Sequence, residues 1–462
     1  MKYASSALVA LVAAAVAATV TALVIPCPAP GEAAPAAAAP QAVAGPPPSA
    51  ASVPEVRRTP VVAVVERVSP AVVNIAAEAI VREADPFFFG FRSRQRRAQS
   101  LGSGLIIAAN GVVVTNAHVV DGASRIVVNT LDGRELEAEV LGSDRDADLA
   151  VLKVAANGLP HVALGDSSDL LIGETVVAIG NPFGLSHTVT AGTLSARGRA
   201  LPPRRGGELE TRFTDFLQTD ASINPGNSGG PLVNLAGDVI GVNTAIISGA
   251  NGIGFAIPAD RARRVVDDLL RFGELQPLWT GLRLLTLDPA LAREYEAPVD
   301  HGALVYRVYP DSPAAAAGFE AGDVIVSVGD QPVAAREDVT TALYTVPAGS
   351  GVDVELLRGD GRERLRLAGE RPPEGLGLDL FEQALGMRLE EARGALAVSR
   401  VSAGGVAAGR GLARGDLVLA ANGRRLQSLE DLGREVLRGF DRGGLLLVVQ
   451  RGRYRYNLSF AL

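Results

Sequence analysis

An internal repeat narrows the possible folds before any single residue does. Gly302-Ala303-Leu304 returns 92 residues later as Gly394-Ala395-Leu396, and Gly322-Asp323-Val324-Ile325 returns 93 residues later as Gly415-Asp416-Leu417-Val418. Glu337-Asp338-Val339 recurs in the same way as Glu430-Asp431-Leu432. Self-similarity at one fixed period marks a supersecondary unit used more than once. Two small modules are therefore expected, over residues 278–371 and 374–462, and a chain of 462 residues leaves room for one larger domain ahead of them.

That larger domain reads as all-β. From Val61 to Phe272 the sequence consists of short β-branched runs broken by turn pairs. Asn110-Gly111, between Leu105-Ile106-Ile107 and Val112-Val113-Val114, is a tight hairpin signal because both turn residues tolerate positive φ. Roughly ten such runs suit a pair of barrels or a sandwich. The clear helix is Ala259 to Phe272, where Ala262, Val265, Val266, Leu269 and Leu270 repeat at three and four and Gly273 can cap the C-terminus. It closes a domain over 61–273.

Ahead of it, Lys2 is followed by an almost uncharged Ala/Val/Leu run from Ala4 to Ile25, the pattern of an export signal. Residues 1–27 are expected to act either as a cleaved signal peptide or as an uncleaved membrane anchor. Residues 28–60 are Ala/Pro-rich, with Pro46-Pro47-Pro48 among them, and read as a semi-stiff linker.

Composition removes several function classes. Lys+Arg 44 against Asp+Glu 51 leaves a net charge of −7, with no long basic block, which argues against nucleic acid as a partner. One cysteine, Cys27, excludes an internal disulfide, a Cys-Cys zinc site and an iron–sulfur cluster. No GxxxxGK[ST] occurs, so P-loop nucleotide hydrolysis is excluded, and neither a cofactor nor a metal is expected. A histidine general base must be His118, His161, His187 or His301.

Gly226-Asn227-Ser228-Gly229-Gly230-Pro231 is the most informative stretch. It can be read as a tight turn alone, or as the G-x-S-x-G nucleophile elbow of an α/β-hydrolase. The elbow requires a helix after the serine and a histidine beyond it, but strand-like residues flank Ser228 and the only later histidine, His301, sits inside the repeat. Upstream, Val113-Val114-Thr115-Asn116-Ala117-His118 ends an apolar strand on a histidine, and Asp148 opens Asp148-Leu149-Ala150-Val151-Leu152. A carboxylate abutting an apolar strand needs a donor, and an imidazole N–H would serve. Asp144 and Asp146 read as residues of a solvated turn, and His161 and His187 as solvated loop side chains. The order His…Asp…Ser is one of several unrelated orders that give the same catalytic geometry.

Thr115-Asn116-Ala117-His118-Val119-Val120, Asp148-Leu149-Ala150-Val151-Leu152 and Gly226-Asn227-Ser228-Gly229-Gly230-Pro231-Leu232, followed by two repeated modules, resemble the HtrA (Do/Deg) serine proteases. The resemblance covers about residues 60 to 460. It implies a mainly β chain: a chymotrypsin-like double β-barrel followed by two PDZ domains. It implies an ATP-independent endopeptidase of the periplasm, soluble or held at the inner membrane, that removes misfolded proteins and assembles as a trimer or larger. His118, Asp148 and Ser228 would form the triad, with backbone N–H groups of Gly226 and Ser228 as the oxyanion hole. The rival reading is a peptide-binding chaperone or scaffold with a vestigial protease domain.

The same resemblance places substrate and control elements. Ile223, five residues before Ser228, and Ile246 are expected at the primary specificity pocket, favouring small aliphatic residues, although Ile223 could equally fill the barrel wall. Asn227 stands where zymogen-type relatives carry an aspartate, so control is expected from loops over 85–100, 199–210 and 248–253 that order on peptide binding. The aromatic run Phe87-Phe88-Phe89-Gly90-Phe91 is expected at a subunit contact. PDZ domains capture peptide C-termini on a loop of backbone N–H groups. Leu376-Gly377-Leu378 fits the apolar-Gly-apolar form of that loop, placing Gly377 in it, whereas Thr280-Gly281-Leu282 departs by its threonine.

Overall fold

A computed structural model of the chain describes residues 57–84, 93–181, 188–201, 213–224, 226–246, 252–346, 349–392 and 394–462. The N-terminal run and linker, the aromatic run Phe87–Phe91, His187 and most of the three expected control loops lie outside the described residues.

Twelve strands make two closed barrels. The first has the order β1-β2-β3-β6-β5-β4, from β1 (Val72–Ala84), β2 (Ser93–Ala108), β3 (Val112–Thr115), β4 (Arg125–Asn129), β5 (Glu135–Asp144) and β6 (Leu149–Val154). The second has the order β10-β11-β12-β9-β8-β7, from β7 (Thr175–Gly180), β8 (Thr188–Arg199), β9 (Phe216–Thr219), β10 (Pro231–Asn234), β11 (Val239–Ile246) and β12 (Gly254–Pro258). Each encloses its own apolar cluster: Val73, Ile75, Ile106 and Leu152 in the first, Leu194, Leu217, Leu232 and Ile240 in the second. The Asn110-Gly111 turn joins β2 to β3 as expected. Gly111 has φ +88°, and a Cβ there would stand 2.5 Å from the Val154 carbonyl.

The domain opens differently from its sequence reading. Pro60–Val68 (α1) is a helix although it is rich in valine. Thr59 caps it, accepting a hydrogen bond from the Val62 N–H at 3.4 Å, and Pro60 sits in the first turn, where its missing N–H costs nothing. Burial of Val64 and Val68 against the barrel strands overrides the β preference of the side chains. A one-turn helix, Ala117–Val120 (α2), follows β3. Ala259–Phe272 (α3) ends the domain, capped by Gly273 at φ +76°. It buries Ala262, Val265, Val266 and Leu269 but leaves Leu270 exposed.

The two repeats form two like sheets. The first is ordered β13-β14-β15-β17-β18 with β16 paired to β15, from β13 (Leu282–Thr286), β14 (Ala303–Val308), β15 (Val324–Val328), β16 (Gln331–Pro332), β17 (Gly351–Arg358) and β18 (Gly361–Ala368). The second is β19-β20-β21-β23-β24 with β22 paired to β21, from β19 (Met387–Ala392), β20 (Ala395–Val401), β21 (Leu417–Ala421), β22 (Arg424–Arg425), β23 (Gly444–Arg451) and β24 (Tyr454–Ala461). Arg336–Leu343 (α4) and Leu429–Arg442 (α6) are equivalent helices, and between the sheets Leu376–Leu385 forms a further helix (α5). The repeat also preserves an ion pair: Arg358 holds Asp323 in the first module as Arg451 holds Asp416 in the second.

Candidate active site

The first barrel supplies a histidine and an aspartate, the second a serine. Asn116 follows β3 as the N-cap residue of α2 and puts His118 on its single turn, at the barrel surface. Asp148 stands just before β6 at φ +51°, a left-handed conformation that Asp tolerates better than most residues. Asn116 stabilises it there, donating from Nδ2 to the Asp148 carbonyl at 2.9 Å.

The turn before Asp148 is not the solvated one the sequence suggested. Asp144 is buried, and its Oδ1 accepts from the Asp146 and Ala147 N–H groups, each at 3.0 Å. A buried carboxylate thus caps the turn that presents Asp148.

The Asp148 carboxylate faces His118. His118 Nδ1 lies 2.8 and 2.9 Å from its two oxygens, and the His118 backbone N–H reaches Oδ1 at 3.2 Å. A carboxylate only accepts, so Nδ1 carries a proton, and in the neutral imidazole this leaves the lone pair on Nε2. The second oxygen also accepts from Thr244 Oγ1 at 2.5 Å. Ser228 Oγ donates to the carbonyl of this same Thr244 at 3.3 Å. Thr244, on β11, is the shared neighbour of the aspartate and the serine, and nothing in the sequence singled it out.

Ser228 lies in a turn followed by a strand, β10, and not by a helix, which removes the α/β-hydrolase reading. Gly226 takes φ +114°, open only to glycine. At Gly229 a Cβ would stand 2.3 Å from the Ser103 carbonyl. Asn227 is spent on its own loop: it accepts from the Asn224 N–H at 3.0 Å and donates to the Ser222 carbonyl at 3.1 Å. Ile223 is buried in the second barrel, where a Cβ on Gly254 would come within 2.4 Å of its Cγ1. Gly254 pairs across strands with Ile246, whose side chain lies outside the described residues. His161 and His301 are exposed, and among the described residues no group of three or more His, Cys, Asp or Glu is placed to hold a metal.

A family model described as a trypsin-like peptidase domain matches residues 102–242, and one described as a PDZ domain matches residues 281–368. A probable periplasmic serine endoprotease, DegP-like, from Halomonas elongata is 38% identical over 415 residues, covering 80% of this chain and 86% of the relative. The chain belongs to the DegP-like serine endoproteases. A DegP-like relative from Chlamydia pneumoniae is 38% identical over 387 residues, covering 79% of this chain and 77% of its own. Among solved structures, an HtrA-type protease, AlgW with tripeptide, aligns at TM-score 0.50 and 38% identity, covering 68% of this chain and 98% of its own.

In this DegP-like protease the two repeat modules, the first of them matched by the PDZ model, present different grooves. In the first, Leu282 and Leu284 of β13 face Val339 and Leu343 of α4, and Phe440 from the second module closes one side. Gly281, at φ +78°, precedes β13, and its carbonyl accepts from the Tyr309 N–H. Thr280 Oγ1 accepts from the Leu282 N–H at 3.2 Å.

In the second module the expected loop glycine is elsewhere. Leu282 pairs with Val308 as Met387 pairs with Val401, and the Gly386 carbonyl accepts from the Ser402 N–H, so the counterpart of Gly281 is Gly386, at φ +67°. Gly377 instead lies within α5, packed on α6, where a Cβ would fall 2.1 Å from the Gly433 carbonyl. Gly433 holds the position that groove-lining Thr340 holds in the first module. With Leu380, Phe381 and Leu385 buried beside Leu432 and Val436, α5 covers the face of the second module that is open in the first.

Proposed function

We propose that this endoprotease cleaves unfolded proteins in the periplasm with Ser228 as nucleophile, His118 as general base and Asp148 as the group that orients it. The observation that carries the assignment is the continuous set of contacts from His118 Nδ1 through Asp148 and Thr244 to Ser228. Ser228 Oγ turns from the Thr244 carbonyl to the free Nε2 of His118 when a scissile carbonyl arrives. His118 takes its proton during attack and returns it to the leaving amine. Asp148 and Thr244 hold the imidazole in the tautomer this needs and offset the charge of the imidazolium. The N–H groups of Gly226 and Ser228 receive the developing oxyanion. Ile223 and Ile246 are expected to set the preference for small aliphatic residues before the scissile bond; Ile223 offers no carboxylate to a basic side chain and packs in the second barrel beside Gly254.

The division 61–273, 278–371 and 374–462 follows the barrels and the two sheets. Peptide capture belongs to the first module, whose apolar groove suits a C-terminus ending in an aliphatic side chain, and not to the second, where α5 occupies the matching face. Export by residues 1–27 is supported by the relatives described as periplasmic; retention at the inner membrane and assembly into trimers or larger rest on the resemblance of the sequence motifs alone.

Casein hydrolysis and fluorophosphonate labelling of wild type and Ser228→Ala test the reading. Both activities should disappear in the variant, since loss of the nucleophile typically costs about 10⁶ in rate. Equal hydrolysis by the two proteins would remove Ser228 from its role. A wild type that binds unfolded protein but neither cleaves nor labels would favour the chaperone alternative.

A further inference from the structure

We infer that Ser103 is a positioning residue for the oxyanion hole, a role that rests on the assignment of Ser228 and Gly226 above. Ser103 belongs to β2 of the first barrel, is fully buried and lies 125 residues before the nucleophile in sequence. All of its hydrogen-bonding groups are used, and three of its partners lie on the second barrel. Its N–H donates to the Ser228 carbonyl at 2.9 Å. Its hydroxyl donates to the Gly226 carbonyl at 2.5 Å and accepts from the Asn181 N–H, at the end of β7, at 2.7 Å. Its own carbonyl accepts from Thr115 Oγ1 at 2.7 Å, on the strand leading to His118.

The pattern is specific to the oxyanion loop. The two N–H groups proposed to receive the oxyanion belong to the peptides before Gly226 and before Ser228. Ser103 grips the peptide that follows each of those residues, one through its backbone and one through its side chain. Gly226, Asn227 and Ser228 are thereby held at both ends by a single residue of the opposite barrel. Packing leaves the loop no room to drift toward β7: a Cβ on Gly180 would stand 2.4 Å from Asn227 Cβ, and one on Gly230 would stand 2.2 Å from the Ile179 carbonyl. Ser103→Ala would leave the Gly226 carbonyl and the Asn181 N–H buried without a partner, in the loop whose geometry the reaction depends on.

Because Ser103 touches no substrate atom, its removal should weaken transition-state binding and spare ground-state binding. The experiment compares wild type, Ser103→Ala and Ser103→Cys in the full-length protein, using an aliphatic fluorogenic peptide, a peptide boronate that forms a tetrahedral adduct with the serine, and thermal melting. Ser103→Ala should lose about ten- to hundredfold in kcat with KM changed less than about twofold, and boronate affinity should fall by the same factor as kcat. Ser103→Cys, which keeps a weak donor, should fall between the two. Wild-type kcat and boronate affinity in a folded Ser103→Ala protein would overturn the inference while leaving the Ser228 assignment intact. So would losses that vanish when both variants are assayed well below their melting temperatures. Absence of Ser228-dependent hydrolysis in the wild type would instead remove the reading on which it rests.

Discussion

Arg424 Nη2 stands 3.4 Å from Asp144 Oδ2, linking β22 of the second repeat to the turn that presents Asp148. Asp144 is buried and caps that turn through two N–H groups, and the arginine sets a positive charge against its carboxylate. Further contacts run beside it: Arg434 and Arg438 on α6 both reach Glu274, just beyond α3.

Replacing Asp144 should therefore affect chemistry as well as stability. Asp144→Ala removes the cap, and about 1–3 kcal/mol of stability should go with it. kcat should fall because Asp148 loses its fixed approach to His118, whereas Arg424→Gln, which leaves the cap in place, should cause the smaller loss. Melting curves and steady-state kinetics on the two variants check the ranking.

The Thr244 hydroxyl, unlike its carbonyl, should matter through Asp148 alone. Thr244→Val removes a hydrogen bond to a charged acceptor at nearly constant volume, worth about 1.5–3 kcal/mol, or roughly ten- to hundredfold in kcat. Thr244→Ser keeps the hydroxyl and should keep most of the rate. The comparison is made with one peptide substrate, and a Thr244→Val enzyme of wild-type kcat would contradict the role.

Thr280 should weaken the C-terminal capture proposed for the first module. Its hydroxyl occupies the Leu282 N–H, one of the backbone donors that the proposed capture would offer to a peptide carboxylate. Thr280→Ala should tighten binding of peptides with a free C-terminus by about three- to tenfold and leave C-terminally amidated peptides unchanged. Calorimetric titration of both peptide forms separates the two effects.

The helix α5 should behave as a permanent part of the second module. Gly377→Ala forces a methyl against the Gly433 carbonyl, an overpacking cost of about 1–3 kcal/mol. Hydrogen exchange over residues 376–385 should quicken in the variant. Wild type should bind one C-terminal peptide per chain, and a second binding equivalent would show that α5 leaves readily.

Acid should loosen the second module through Asp416. Its hydrogen bond to the Arg451 guanidinium holds the carboxyl below the ordinary value of 3.8. The depressed group contributes stability that is complete above the unfolded value and is lost as pH falls through the folded one. Arg451→Met should lower stability near neutrality and flatten its decline below about pH 4, as followed by melting temperature against pH.

What the sequence disclosed and what it concealed divide along physical lines. His118, Asp148 and Ser228 were legible because local signals marked each one: a strand ending on an imidazole, an acid abutting apolar residues, and a glycine-rich turn. The hairpin at Asn110-Gly111 and the helix Ala259–Phe272 follow from turn chemistry and periodicity. Thr244 and Ser103 carry no such mark, since a threonine and a serine inside strands acquire meaning only when another strand lies opposite. Asp144 reads as solvated in the sequence because one of its partners, Arg424, lies 280 positions away. Val61–Val68 looked extended because valine prefers strands, yet Thr59 and Pro60 already announced a helix start. Gly377 misled because apolar-Gly-apolar also describes Leu385-Gly386-Met387, and only the strand register distinguishes the two.

Phe440 sits on α6 of the second repeat yet borders the groove of the first, beside Trp279 and Tyr309 at ring separations of 6.0 and 5.5 Å. The two repeats are thus not interchangeable beads on a string. A first repeat cut free of its neighbour would offer a wider and shallower trough, with its aromatic edge exposed to water. Ligand preferences measured on that fragment would describe a site that the whole enzyme does not possess.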